Sequence, residues 1–172
     1  MRRDATFVFV GLILGLSIHF LLSEFVFSPV ITAVFSPEGG QKIIDFIDTA
    51  EETIDIEIYV ISSRDVIEAL ERAKARGVSI RIIIERNTLG TKNQEIYREL
   101  ASKGFNVRYA SDTYKLTHSK FILVDGKAVL VGSHNLSNSA LTKNREASVI
   151  IRDRGSVEEF LYVFETDWLL AY

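Results

Sequence analysis

After an apolar opening, the hydrophobic positions of the chain switch repeatedly between a period near 3.6 and a period of 2. The opening runs from Phe7 to Leu22, sixteen residues without a charge, with Arg2 and Arg3 before it and Glu24 after it. As a helix it would rise about 24 Å, slightly less than a ~30 Å hydrocarbon core, and it is apolar on every side. The residues after it, Ser23–Pro29, offer no small-x-small cleavage site, so residues 1–30 read as an N-terminal membrane helix, with a cleaved secretory signal as the alternative. The arginine pair predicts a cytoplasmic N-terminus and places everything that follows on the extracytoplasmic side. A first strand is expected near Ile31–Phe35. Helix patterns follow near 38–51, 63–76, 91–103 and 155–170, and strand patterns near 53–61, 78–85, 105–110, 119–124, 127–132 and 146–151. Gly77 and Gly104 each follow a helix pattern whose last turn carries a basic residue, as helix stops that lead into strands do. Asp125-Gly126 joins two strand patterns as a hairpin turn. Residues 31–172 therefore form one α/β domain on a mixed sheet.

Composition narrows the chemistry. The 172 residues are 47% hydrophobic and 25% charged, enough for one ordinary core and too few for two large domains. With no cysteine the chain has no disulfide, no thiol nucleophile and no thiolate-ligated zinc. The formal charge of −3 excludes a generally basic polyanion binder, yet the charge is uneven. Arg98 to Arg145 holds eight basic and three acidic residues, whereas Glu38 to Glu71 holds ten acidic and two basic ones. The basic half suits a nucleic-acid backbone.

There are three histidines, and His19 lies in the apolar opening, which leaves His118 and His134. His118, Lys120 and Asp125 stand as H-x-K-x-x-x-x-D on a strand and its following turn. Residues two apart on a strand share a face, with their Cα atoms roughly 6.5–7 Å apart, so His118 and Lys120 project together. An imidazole there can attack phosphorus or shuttle a proton, and an ammonium offsets charge on the phosphate oxygens without a metal. Ser133 and Asn135 share a face of the next strand as further phosphate donors, and His134 between them is expected to be packed. Glu146, beyond a polar loop, would fix the tautomer of an imidazole that donates to it. Asp125, as the first residue of an Asp-Gly turn, has a supporting rather than catalytic role. Val157, Phe160, Leu161, Phe164 and Trp168 lie at helical spacing and read as core. Most of Tyr59, Tyr97, Tyr109 and Tyr114 read as core or rim packing.

The block HSKFILVDGKAVLVGSHNLSNSALTKNREASVII, with FSPEGG, IDIEIYVIS and ALERAKARGVSIRIIIE upstream, resembles the phospholipase D superfamily, and in particular its short bacterial nucleases with one HxKxxxxD motif per chain. The resemblance spans roughly residues 34–170 and implies a mixed β-sheet flanked by helices on both faces. It implies His118 as nucleophile or acid, Lys120, Ser133 and Asn135 as phosphate ligands, and Glu146 as the partner of His118. It also implies a phosphohistidine intermediate with neither metal nor cofactor, and a homodimer that brings two copies of His118 to one site. The family hydrolyses both nucleic acids and phospholipids. Short, mostly polar loops beside the motif favour DNA or RNA, with anionic phospholipid as the alternative and a catalytically silent polyanion-binding module as the third reading.

Overall fold

The computed structural model describes residues 30–172 apart from residue 89. The apolar opening and the membrane helix expected in it lie outside the described residues. Among the described residues, no helix is long and apolar enough to cross a membrane.

Seven strands form one mixed sheet: β1 (Ile31–Phe35), β2 (Thr53–Ile58), β3 (Ser79–Ile84), β4 (Asn106–Tyr109), β5 (Lys120–Val124), β6 (Ala128–Gly132) and β7 (Ala147–Ile151). Their order is β1-β7-β6-β5-β2-β3-β4. β2, β3 and β4 are parallel, while β5, β6, β7 and β1 continue the sheet antiparallel. Among the described residues, four helices lie between strands, α1 (Gln41–Asp48), α2 (Arg64–Ala75), α3 (Lys92–Ser102) and α4 (Asn138–Thr142), and α5 (Arg154–Leu170) follows β7.

The two faces bury different cores. Alternate residues of the central strands, Ile54, Ile56, Ile58, Ile82, Ile122 and Leu130, pack against the buried stripes of α1 to α3. The opposite residues, Ile83, Phe121, Leu123 and Val129, pack against Val157, Phe164 and Trp168 of α5. Phe121 meets Phe160 and Phe164 edge-on, with ring centroids 5.3 and 6.3 Å apart. The central strands are apolar on both faces because both are covered. On the α5 face Arg81 is held by Asp55 at 2.7 Å and Glu165 at 2.7 Å, a half-buried charge with two partners.

The expected elements are present, most of them trimmed at one or both ends, whereas β1 has the expected bounds and α5 starts one residue early. α1 begins at Gln41, three residues late, because residues 36–40 make a turn closed by the Gly39 N–H on the Phe35 carbonyl at 2.6 Å. A side chain at Gly40 would collide with the Leu141 carbonyl, so this turn requires glycine. β2 stops at Ile58, since Val60 and Ile61 leave the sheet to pair with Leu136. The short α4 has no counterpart among the predicted helices. Its five residues are too few for a periodic signal, and its start is marked only by Ser137, which accepts the Ala140 N–H at 3.3 Å.

Candidate active site

The carboxyl ends of β2 and β6 and the amino ends of β5 and β7 meet at one end of the sheet. His118, just before β5, is exposed, and its ring lies against Tyr59 with centroids 4.5 Å apart. Lys120 opens β5 opposite Ile58 and is buried. Its Nζ donates to the His118 carbonyl at 2.7 Å and stands 3.3 and 3.4 Å from Nδ1 and Nε2 of the same ring. Burial pulls the Lys120 pKa below the ordinary lysine value, against the opposing pull of Glu146. The i, i+2 spacing thus delivers an imidazole and an ammonium to one point.

Ser133 follows β6. Its hydroxyl donates to one carboxylate oxygen of Glu146 at 2.5 Å, and Asn144 donates to the other at 3.1 Å. The Ser133 hydroxyl bond is the chief reason Glu146 titrates below its usual range. The expected bond from Glu146 to His118 is not made within one chain. β6 lies between β5 and β7, so the segments entering those two strands are about 9.5 Å apart, two strand spacings. Asn135 is half-buried, and its buried Oδ1 has no hydrogen-bond partner among the described residues. His134 is packed, with Nδ1 2.7 Å from the Ser148 hydroxyl, and burial lowers its pKa.

Asp125 lies at the opposite end of β5, roughly 23 Å along the strand from His118 at ~3.3 Å per residue. It adopts φ 54°, and its carboxylate accepts the N–H groups of Glu51, Glu52 and Thr53 at 3.1, 2.8 and 2.9 Å. Partial burial pushes its pKa up, but these three donors outweigh it and hold the group below the usual aspartate value. Asp125 therefore anchors the entry to β2 and touches no reacting atom. Asp125→Ala is expected to cost about 2 kcal/mol or more, from the lost charge-assisted bonds and from alanine at positive φ. Asp125→Asn, which tolerates that φ and keeps one acceptor, should cost less. Because the folded pKa is depressed, the stabilisation is present above the unfolded aspartate pKa and lost as pH falls through the folded value, which denaturant melts at several pH values would read.

Two supports of the site were not anticipated. Asn93 at the start of α3 is buried, and its Nδ2 donates to the carbonyls of Tyr59 and Glu85 at 2.7 Å each. Buried Glu85 in turn accepts the Thr117 N–H at 2.7 Å, pinning the residue before His118. An asparagine inside the run TKNQE carries no periodic signal, so only the folded chain exposes this link. The basic half is also less free than its count suggests. Lys103, Lys127 and Arg145 are paired with Glu71 and Glu99, Glu52 and Glu38, respectively, and Lys127 lies at the Asp125 end. Lys115 and Lys143, on the two loops beside the site, make no ion pair among the described residues.

This arrangement has known counterparts. Residues 43–168 match the family model described as "Cardiolipin synthase, PLD-like domain". The chain is 35% identical over 144 residues to a phospholipase D of Rickettsia felis, covering 83% of this chain and 71% of that protein. It is 30% identical over 119 residues to the mitochondrial cardiolipin hydrolase of Mus musculus, covering 69% and 53%. The crystal structure of Nuc, a phospholipase D family member from Salmonella typhimurium, superposes with a TM-score of 0.77 at 30% identity, covering 84% of this chain and 97% of that one. With its motif at one end of the same fold, the chain belongs to the phospholipase D superfamily of phosphodiester-bond hydrolases.

Proposed function

We propose that this chain is a metal-independent endonuclease that hydrolyses DNA or RNA without marked sequence preference. The observation that carries the reading is the exposed His118 ring against the buried Lys120 ammonium, at an open end of the sheet flanked by Lys115 and Lys143. A ring nitrogen of His118 attacks phosphorus and the P–O bond to the leaving oxygen breaks. Lys120, with the Ser133 hydroxyl and the Asn135 side chain, takes the charge that builds on the non-bridging oxygens. The leaving oxygen needs a proton, and the second imidazole of a homodimer supplies it. That imidazole then takes a proton from water as the water attacks phosphorus and the N–P bond breaks, returning His118. Glu146 orients the Ser133 hydroxyl and opposes the burial that weakens the Lys120 charge. Residues 1–30 act as the anchor that holds this domain on the extracytoplasmic side.

One observation favours hydrolysis of phospholipids as a second reading: Leu116 and Val163, both exposed, border a cavity that His118 and Lys120 also line. The names of the Rickettsia and mouse relatives point the same way. Glu57, Glu159 and Asp167 line that cavity, however, and repel an anionic head group.

The full chain, assayed in excess EDTA with labelled single-stranded DNA and separately with cardiolipin vesicles, distinguishes the readings. The expected result is DNA cleavage that disappears in His118→Ala. Head-group release without DNA cleavage overturns the proposal in favour of a lipid hydrolase, and silence in both assays from a folded dimer overturns it in favour of a binding module.

A further inference from the structure

Strand β5 has a second side. His118 and Lys120 serve the site, whereas Ser119 and Phe121 alternate to the α5 face. There lies a cavity of about 610 Å3, between the start of β5 and α5. Its apolar walls include Leu116, Phe160 and Val163, and three carboxyl groups line it: Glu57 from β2, and Glu159 and Asp167 from α5.

None of these three acids has an ion-pair partner among the described residues. The cations on this face are committed elsewhere: Arg81 to Asp55 and Glu165, and Arg108 to the Trp168 carbonyl at 2.8 Å. Glu57 is 2% exposed. One of its oxygens accepts the Ser119 hydroxyl, and the other, Oε2, is buried without a hydrogen-bond partner. Burial pushes the Glu57 pKa up to about 7, the Ser119 bond opposes this, and nearby Asp167 adds to the rise. Tyr114, Glu159, His118 and Lys120 are the other titratable groups that line the cavity, and the Asp167 charge raises the Tyr114 pKa. A buried carboxyl with an unpartnered oxygen, no ion pair and a second carboxyl beside it suits a cation. Among the described residues no three acidic or histidine side chains are grouped to hold a metal ion, and the walls are apolar.

We propose that this cavity is a binding site for a small organic cation, an ammonium head on an apolar stem, with Glu57 and Asp167 receiving the head and Leu116, Phe160 and Val163 the stem. His118 and Lys120 also border the cavity, so it adjoins the site of phosphodiester chemistry, but amine binding there does not depend on which phosphodiester is cleaved. Binding needs Glu57 ionised, so a cation entering near pH 6 displaces a proton from it.

Calorimetric titration of the full chain with n-hexylammonium tests this, with n-hexanol and hexanoate as probes of matched shape. The expected result is saturable binding of the amine alone, about ten-fold tighter at pH 8 than at pH 6 for one group titrating near 7, with proton release at the lower pH only. Glu57→Gln and Asp167→Asn should each weaken binding at least ten-fold. Val163→Trp, which leaves the acids intact and fills the cavity, should abolish it. Glu57→Gln removes a buried ionisable group, so its thermal midpoint at pH 8 should equal or exceed that of the parent. No amine binding by the folded chain, equal binding of hexanol, or an affinity indifferent to all three substitutions would overturn the proposal.

Discussion

His118→Ala is expected to lower phosphodiester cleavage by on the order of 10^4-fold or more while leaving the thermal midpoint unchanged, because a nucleophile is removed rather than weakened. The separation of effects follows from the surroundings. His118 is exposed and its ring touches Tyr59, but the backbone around it is fixed by Glu85 on the Thr117 N–H and by Lys120 on its own carbonyl. Neither bond uses the imidazole. In a homodimer with a shared site, a mixed dimer of parent and His118→Ala chains is expected to be as inactive as the doubly substituted one, since attack and leaving-group protonation need both rings. Single-turnover rates with melting curves on the same samples would check both parts.

Lys120→Met is expected to reduce the rate by about 10^2- to 10^3-fold, the scale of losing one charged stabiliser of a phosphate transition state. The fold should survive at neutral pH with a midpoint unchanged or raised. Lys120 is 8% exposed, and burial already disfavours its charge, so an unbranched apolar side chain in that slot relieves a desolvation cost. The sign of the pH effect is fixed by the same fact. The folded Lys120 pKa is lowered, so its charge, and the rate that depends on it, is lost on the alkaline side earlier than an ordinary lysine would allow. That alkaline limb should be missing from the residual activity of Lys120→Met.

Much of the scaffold was legible because the chain keeps its periods apart. Runs such as SIRIII and KFILV announce covered strands, and Gly77 and Gly104 sit at positive φ where helix patterns stop. His118 and Lys120 were legible because strand alternation alone brings i and i+2 together, and Asp125 because an Asp-Gly turn explains itself, with φ of 54° and 58° across the pair. The bonding of Glu146 was not, since the sequence does not reveal that β6 intervenes between β5 and β7. The bracing of Tyr59 by Asn93 and of Thr117 by Glu85, and the Glu57–Ser119 contact in the acid-lined cavity, join residues 32 or more apart, for which no local pattern exists. The charge asymmetry overstated the free basic surface because ion pairs such as Arg145–Glu38 join distant segments.

In the proposed mechanism His118 bonds to phosphorus during turnover without a metal. The direct measurement is acid-free quenching of the full chain with a labelled oligonucleotide in excess EDTA, followed by peptide mass mapping. The expected result is a nucleotide joined through an acid-labile phosphoramidate to the peptide carrying His118, appearing before product and absent from His118→Ala. Cleavage that EDTA abolishes, or an adduct on any other residue, would contradict it.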